Sequence, residues 1–346
     1  MPKRIVICSD GTWFTPEHKH KGVLTPSNVY KLACAIAPRA ADGTEQVVFY
    51  DKGVGAGRGL NHLFGGAFGA GLFKNIEDAY SFIVHNYAEG DAVYFFGFSR
   101  GAYTVRSTVG LIRKCGLLKK IHADRFSAAY NLYRRRDLTP DTPEAKTFRE
   151  DYAREIRIQF LGVWETVGAL GIPFGFLGRL TRRRYQFHDV RLSRIVDHAY
   201  HAVAIDEQRR PFAPTLWEVP DSGSQHVEQV WFAGVHNNVG GGYRDHRLSD
   251  VAFVWLQEKA AACGLEFDNT YIQKTITPDY AGESFRSKTL LFYRLLGAAQ
   301  LRAIAQHGGT SESIHDSARR RFEDERLSYK PANLADYFKQ HGSPYK

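Results

Sequence analysis

The stretch AVYFFGFSRGAYTVRSTVGL, residues 92–111, decides how this chain folds. Ala92 to Phe96 is apolar without polar alternation, the pattern of a strand buried on both faces. Gly97-Phe98-Ser99-Arg100-Gly101 follows, and Ala102 to Leu111 then reads as a helix. Glycine-x-serine-x-glycine alone is common by chance. Between a buried strand and a helix it becomes a nucleophile elbow, a sharp turn that exposes a serine hydroxyl, with glycines where the neighbouring backbone crowds it. The helix N-terminus also favours negative charge developing beside Ser99.

The same rhythm extends in both directions. Arg4 to Cys8 predicts a short buried strand closed by the turn residues Ser9-Asp10-Gly11-Thr12. Ser27 is placed to cap a helix over Val29 to Ile36, and Gln46 to Tyr50 reads as a second strand. The glycine-rich residues 53–71 match no phosphate-binding template and predict a loop bordering a site. Ile76 to Tyr87 is an amphipathic helix. Three further apolar strands follow at 156–164, 198–205 and 230–235. A helix over Val251 to Cys263 is expected after them, with Ser249 as cap and Gly264 just past its end. Strands alternating with helices predict an α/β fold, a mostly parallel central sheet with helices on both faces. Nothing in composition breaks the 346 residues into parts, so 1–346 reads as a single α/β-hydrolase-like domain.

Hydrophobic residues make up 43% and charged residues 24%, an ordinary globular balance with ample core. The formal charge of +9 favours anionic partners but does not choose among them. Arginine runs at 134–136, 182–184 and 319–321 hold much of it and read first as solvated faces. Four dispersed cysteines argue against a disulfide framework or zinc ribbon, with Cys8 and Cys34 expected as buried thiols. There is no His-Glu-x-x-His, so neither metal nor cofactor is expected. No signal peptide or membrane-spanning run is visible, so a cytoplasmic chain is expected, with any export signal-independent.

A nucleophilic serine needs a base, and the base an orienting acid, in the order serine, acid, histidine at strand carboxyl ends. Glu165 closes FLGVW, and His236 closes VWFAGV before Asn237-Asn238 and a triple glycine. Neither His198 nor His201, both inside a strand pattern, ends a strand before a glycine turn; both read as structural.

Ordered blocks run nearly end to end: CSDGTW (8–13), PSNVYKLA (26–33), FYDKGVG (49–55), NIEDAYSFIVHNY (75–87), YFFGFSRGAYTVRSTVGLI (94–112), FLGVWETVGALG (160–171), AIDEQRRPFAPTLW (204–217), VWFAGVHNNVGGGY (230–243), SDVAFVWL (249–256), FYRLLG (292–297), SIHDSARRRF (313–322) and YKPANL (329–334). In these the chain resembles the uncharacterised α/β-hydrolase domain family that includes a class of type VI secretion phospholipase effectors. The resemblance implies Ser99 as nucleophile, His236 as base and Glu165 as acid, where the family usually has aspartate. It also implies Asn237-Asn238 where the family commonly has Ser-Asp. Asp206 is the reserve acid.

The oxyanion hole is expected from the backbone N–H of Arg100 and a second amide from Gly11 or Thr12, with Asp10 positioning that loop or the substrate. Residues 168–184 join apolar and basic side chains and read as a lid or interfacial segment. Together these predict a serine esterase or lipase acting through an acyl-enzyme. Its substrate would be an ester or phospholipid, met at an anionic membrane surface, and no nucleic-acid partner is expected. The rival reading is a non-catalytic binding or adaptor domain on a hydrolase scaffold.

Overall fold

A computed structural model describes residues 2–12, 14–53, 66–167, 191–218, 224–285, 300–305 and 311–342. Seven strands form the central sheet: β1 (Arg4–Ser9), β2 (Gln46–Asp51), β3 (Ala92–Phe98), β4 (Ile158–Trp164), β5 (Val196–Ala204), β6 (His226–Phe232) and β7 (Glu312–Ile314). Their spatial order is β7-β6-β5-β4-β3-β1-β2, and every neighbouring pair is parallel. From β1 the chain first builds outward to β2, then returns to β3 on the other side. The loops after β1 and β3 therefore part at the topological switch point, where open α/β sheets form their crevice.

Strand alternation puts the two halves of the core on opposite faces. Ile5, Ile7, Val93 and Phe95 pack with α2 (Gly66–Asn86) and α3 (Arg100–Cys115). Val6, Cys8, Tyr94, Phe96 and Phe98 pack with α1 (Asn28–Ala35) and the later helix over Arg247–Ala262. A third cluster at the far edge joins Val203, Ile205, Trp231 and Ala233 to Ile304, Ala318 and Leu334. Among the described residues no helix is long and apolar enough to cross a membrane.

Several sequence expectations need adjustment. The glycine-rich stretch is not a loop throughout, since α2 already begins at Gly66; residues 54–65 lie outside the described residues. Low helix propensity of glycine hid that start. The helix expected to open after Ser249 begins at Arg247, and the Ser249 hydroxyl donates to the carbonyl of His246 instead of capping. Cys8 is buried as expected, whereas Cys34 is exposed. Ser27 does cap α1, accepting from the Tyr30 amide.

Candidate active site

All strand carboxyl ends lie on one edge, so the residues after β1, β3, β4, β5 and β6 are brought together there. Ser99 follows β3 with φ 56° and ψ −114°, a conformation that L side chains rarely hold. It precedes α3 in the cap position, yet its hydroxyl makes no cap bond to the helix. Two glycines permit the turn. A Cβ at Gly101 would lie 1.9 Å from the carbonyl oxygen of Ser9, and one at Gly97 would lie 2.7 Å from the Ala102 nitrogen. The turn at Ser99 is therefore pressed directly onto the loop after β1.

Glu165 follows β4, also at positive φ (50°), and is fully buried. Its Oε2 meets His236 Nδ1 at 2.8 Å. Oε1 accepts the N–H of Ala204 at 2.6 Å. The guanidinium of Arg302 grips both oxygens, Nη1 to Oε1 at 2.7 Å and Nη2 to Oε2 at 3.0 Å. Burial alone pushes this carboxyl upward, but the Arg302 charge and the hydrogen bonds from His236 and Arg302 outweigh it and hold it at about 2. Glu165 is thus a carboxylate at any ordinary pH.

His236 begins a short helical turn (His236–Gly240) after β6, which ends at Phe232 and not at Val235 as the apolar run suggested. Its ring lies tilted against Phe98 (centroids 4.7 Å apart) with the edge of Phe212 at 4.9 Å. Its backbone N–H donates to Glu207 Oε2 at 3.3 Å. Burial depresses its pKa, against the opposing pull of Glu165, so the imidazole is neutral at pH 7. With Nδ1–H turned to Glu165, Nε2 carries the lone pair. No hydrogen bond among the described residues joins Ser99 Oγ to His236; such bonds are often long before substrate binds.

The reserve acid Asp206 goes elsewhere. It accepts the Gly234 amide (2.6 Å) and the Tyr329 hydroxyl (2.9 and 3.0 Å), so the carboxylate that meets the His236 ring is Glu165. Asp10 is buried and accepts Ser27 Oγ (2.6 Å), Tyr50 Oη (2.8 Å) and the Gly11 amide (2.7 Å). Burial raises its pKa to about 6, partly offset by those three donors. Asp10 thereby anchors its own loop. The Gly11 N–H, one of the oxyanion donors expected from sequence, is turned onto Asp10 Oδ1 in this structure. The lid segment expected at 168–184 lies outside the described residues.

Asn238, one of the two departures after the histidine, is a brace. Its Oδ1 accepts the amides of Val235 and Phe285, and its Nδ2 donates to the Glu283 carbonyl. His201 is structural as expected. It is fully buried, and its Nε2 accepts the Thr166 N–H just after the acid. Arg302, Glu207 and the two flanking phenylalanines were not singled out from sequence. Arg302 sits in LRAIA, with no strand end or motif to mark it.

The family model of the catalytic domain of Tle1-like type VI secretion phospholipase effectors matches residues 3–259. The chain belongs to this family. An uncharacterized protein of Saccharomyces cerevisiae is 29% identical over 235 residues, 61% of this chain and 32% of that protein. The chain thus spans about a third of the length of this curated relative. Among solved structures, an uncharacterized protein from Pseudomonas aeruginosa is 17% identical, covering 98% of this chain and 52% of that one, with TM-score 0.46. The Tle1 effector bound to the VgrG spike of the type VI secretion system is 19% identical, covering 70% of this chain and 52% of that one, with TM-score 0.38.

Proposed function

We propose that this member of the Tle1-like family is a serine hydrolase that cleaves carboxylic esters of lipids, phospholipids first among them. His236 Nε2 takes the proton of Ser99 as Oγ attacks the ester carbonyl. Glu165 accepts the Nδ1–H, holding the tautomer and stabilising the imidazolium that forms. The amides of Arg100, at the first turn of α3, and of Thr12 stabilise the oxyanion. The imidazolium then protonates the departing alcohol, and a water deprotonated by His236 releases the acyl group from Ser99.

The observation that carries this reading is the 2.8 Å contact of His236 Nδ1 with a buried, ionised Glu165 at the strand edge where strained Ser99 also lies. A buried neutral imidazole oriented by a carboxylate is what a general base requires. The phospholipid preference is supported by the family alone.

The test is hydrolysis of an ester and phospholipid panel, with fluorophosphonate labelling, by wild type and Ser99→Ala. Wild type should label and turn over, and the variant should do neither. Equal behaviour of the two proteins, or an inert wild type, would favour the non-catalytic binding domain.

A further inference from the structure

Arg302 takes no part in the chemistry just described, yet it makes two of the four polar contacts that fix the Glu165 carboxylate. It is itself 7% exposed and also donates to the carbonyls of Ala204 and Phe212. Four acceptors on three segments hold one guanidinium, so its plane is set before any substrate arrives.

The short segment that carries it, 300–305, is fastened along its length. Gln300 N–H donates to the Gln208 carbonyl, and Asn333 Nδ2 bridges the carbonyls of Ile205 and Arg302. Ala305 N–H meets Glu312 Oε2, which also receives the Trp231 indole. Ile304 is buried with Val203, Trp231 and Leu334. The segment 300–305, with Glu312, Asn333 and Leu334, lies beyond residue 259, where the catalytic-domain match ends, and is fastened onto residues inside that match.

We propose that Arg302 is a positioning residue of the active site: its planar fork holds the Glu165 carboxylate so that Oε2 faces His236 Nδ1, and the C-terminal segment that supplies it is an integral part of the site. The inference rests on the hydrolase reading above. A glutamate has one more torsion than an aspartate, so its carboxylate needs an external constraint to keep one orientation. A bidentate guanidinium provides that constraint, where a lysine would supply only a point charge.

Arg302 also sets the charge around the base. Among the described residues, the charged groups facing His236 are Glu165 paired with Arg302 on one side and Glu207 paired with Arg209 on the other. Each carboxylate is compensated. Removing Arg302 leaves Glu165 uncompensated beside the imidazole and favours imidazolium.

The test compares wild type with Arg302→Gln, Arg302→Lys, Glu165→Gln and the double variant Glu165→Gln/Arg302→Gln. The readouts are kcat, KM, the pH profile of kcat/KM and thermal unfolding, on the ester that wild type hydrolyses best. Arg302→Gln should lower kcat by roughly 10–100-fold with little change in KM, the scale of a misoriented catalytic group. Its acidic limb should move to higher pH. Arg302→Lys should keep the limb in place and recover part of kcat. In the Glu165→Gln background, loss of Arg302 should cost at most about twofold more, since residues acting as a unit are not additive.

A purely structural role would lower the unfolding temperature while leaving kcat and the limb unchanged, and would overturn the proposal. So would additive effects in the double variant. If Arg302→Gln does not fold, the double variant removes both charges together, and Arg302→Lys with wild-type kcat and pH profile would also overturn it. Absence of Ser99-dependent turnover in wild type would sink the hydrolase reading itself. Ser99-dependent turnover with indifferent Arg302 variants would sink this inference alone.

Discussion

The Ser99 amide donates to the carbonyl oxygen of Trp164 at 3.0 Å, tying the residue after β3 to the residue just before Glu165 on β4. Both Ser99 and Glu165 hold positive φ, and this bond lies between them. Backbone in such regions costs of order 1–3 kcal/mol per residue and persists only where its surroundings over-determine it. Here the sheet does so: β3 and β4 are neighbouring parallel strands whose register pairs Phe98 with Trp164. The two strained residues are therefore fixed relative to each other by the fold.

Crowding at Gly101 gives the first prediction. Its neighbours are the carbonyl oxygens of Ser9 and Asp10, which are backbone and cannot swing aside. Gly101→Ala should displace the loop after β1, destabilise the chain by at least about 2 kcal/mol and slow fluorophosphonate labelling of Ser99. An unchanged denaturation midpoint with a wild-type labelling rate would contradict the packing described.

Glu165, the proposed acid, has a side-chain length matched to its four contacts. Glu165→Asp introduces the aspartate that the family resemblance implies here but retracts the carboxylate by about one C–C bond, roughly 1.5 Å. That pulls it from His236 Nδ1, the Ala204 amide and Arg302 together. We expect kcat to fall by roughly 10–100-fold with KM nearly unchanged. A variant as fast as wild type would mean that the Arg302 fork follows the shorter side chain and that glutamate has no special fit here.

How far the sequence carried depends on what each feature needs. The strand–turn–helix around Ser99 was legible because an apolar strand, a glycine-flanked serine and a helix are contiguous in the chain. Glu165 and His236 were legible as residues closing apolar runs, since parallel strands bring their ends to one edge. The end of β6 was misread by three residues because Ala233 to Val235 stays apolar after the ladder stops. Arg302 was invisible: its partner lies 137 positions away, and no local pattern marks a side chain whose meaning comes from tertiary contact. The direction of the Gly11 amide was hidden for a subtler reason, because an Asp-Gly turn can direct the glycine amide back onto the aspartate.

Asn238, where the family resemblance implies an aspartate, offers a further test. A carboxylate there would keep the two acceptor bonds from Val235 and Phe285 but could not donate to the Glu283 carbonyl. Asn238→Asp should therefore destabilise by about 1–3 kcal/mol in urea, the cost of an unsatisfied acceptor plus carboxylate-carbonyl repulsion. A neutral result would show that Glu283 finds another donor.

The pH behaviour follows from buried groups shifted in opposite directions: burial holds His236, His201 and His315 below their ordinary values and Asp10, Asp51 and Asp206 above theirs. His236 has a folded pKa below its ordinary 6.5, so the unfolded chain binds more protons as pH falls through that value. Its contribution to stability is present above about 6.5 and is lost as pH falls below it. Asp10 is raised from 3.8 to about 6, so the folded chain binds more protons in that interval, and stability falls as pH rises from about 4 to 6. Urea denaturation between pH 4 and 7.5 should resolve their shares: His236→Gln should lessen the destabilisation at low pH, to which His201 and His315 also contribute, and Asp10→Asn should lessen the loss between 4 and 6, to which Asp51 also contributes. For activity, Glu165 stays ionised down to about 2, so the acidic limb of kcat/KM reports His236. That limb should lie below the ordinary histidine value, with a plateau through neutral pH. A limb above pH 7 would mean that Glu165 raises the imidazole more than burial depresses it, reversing the balance described here.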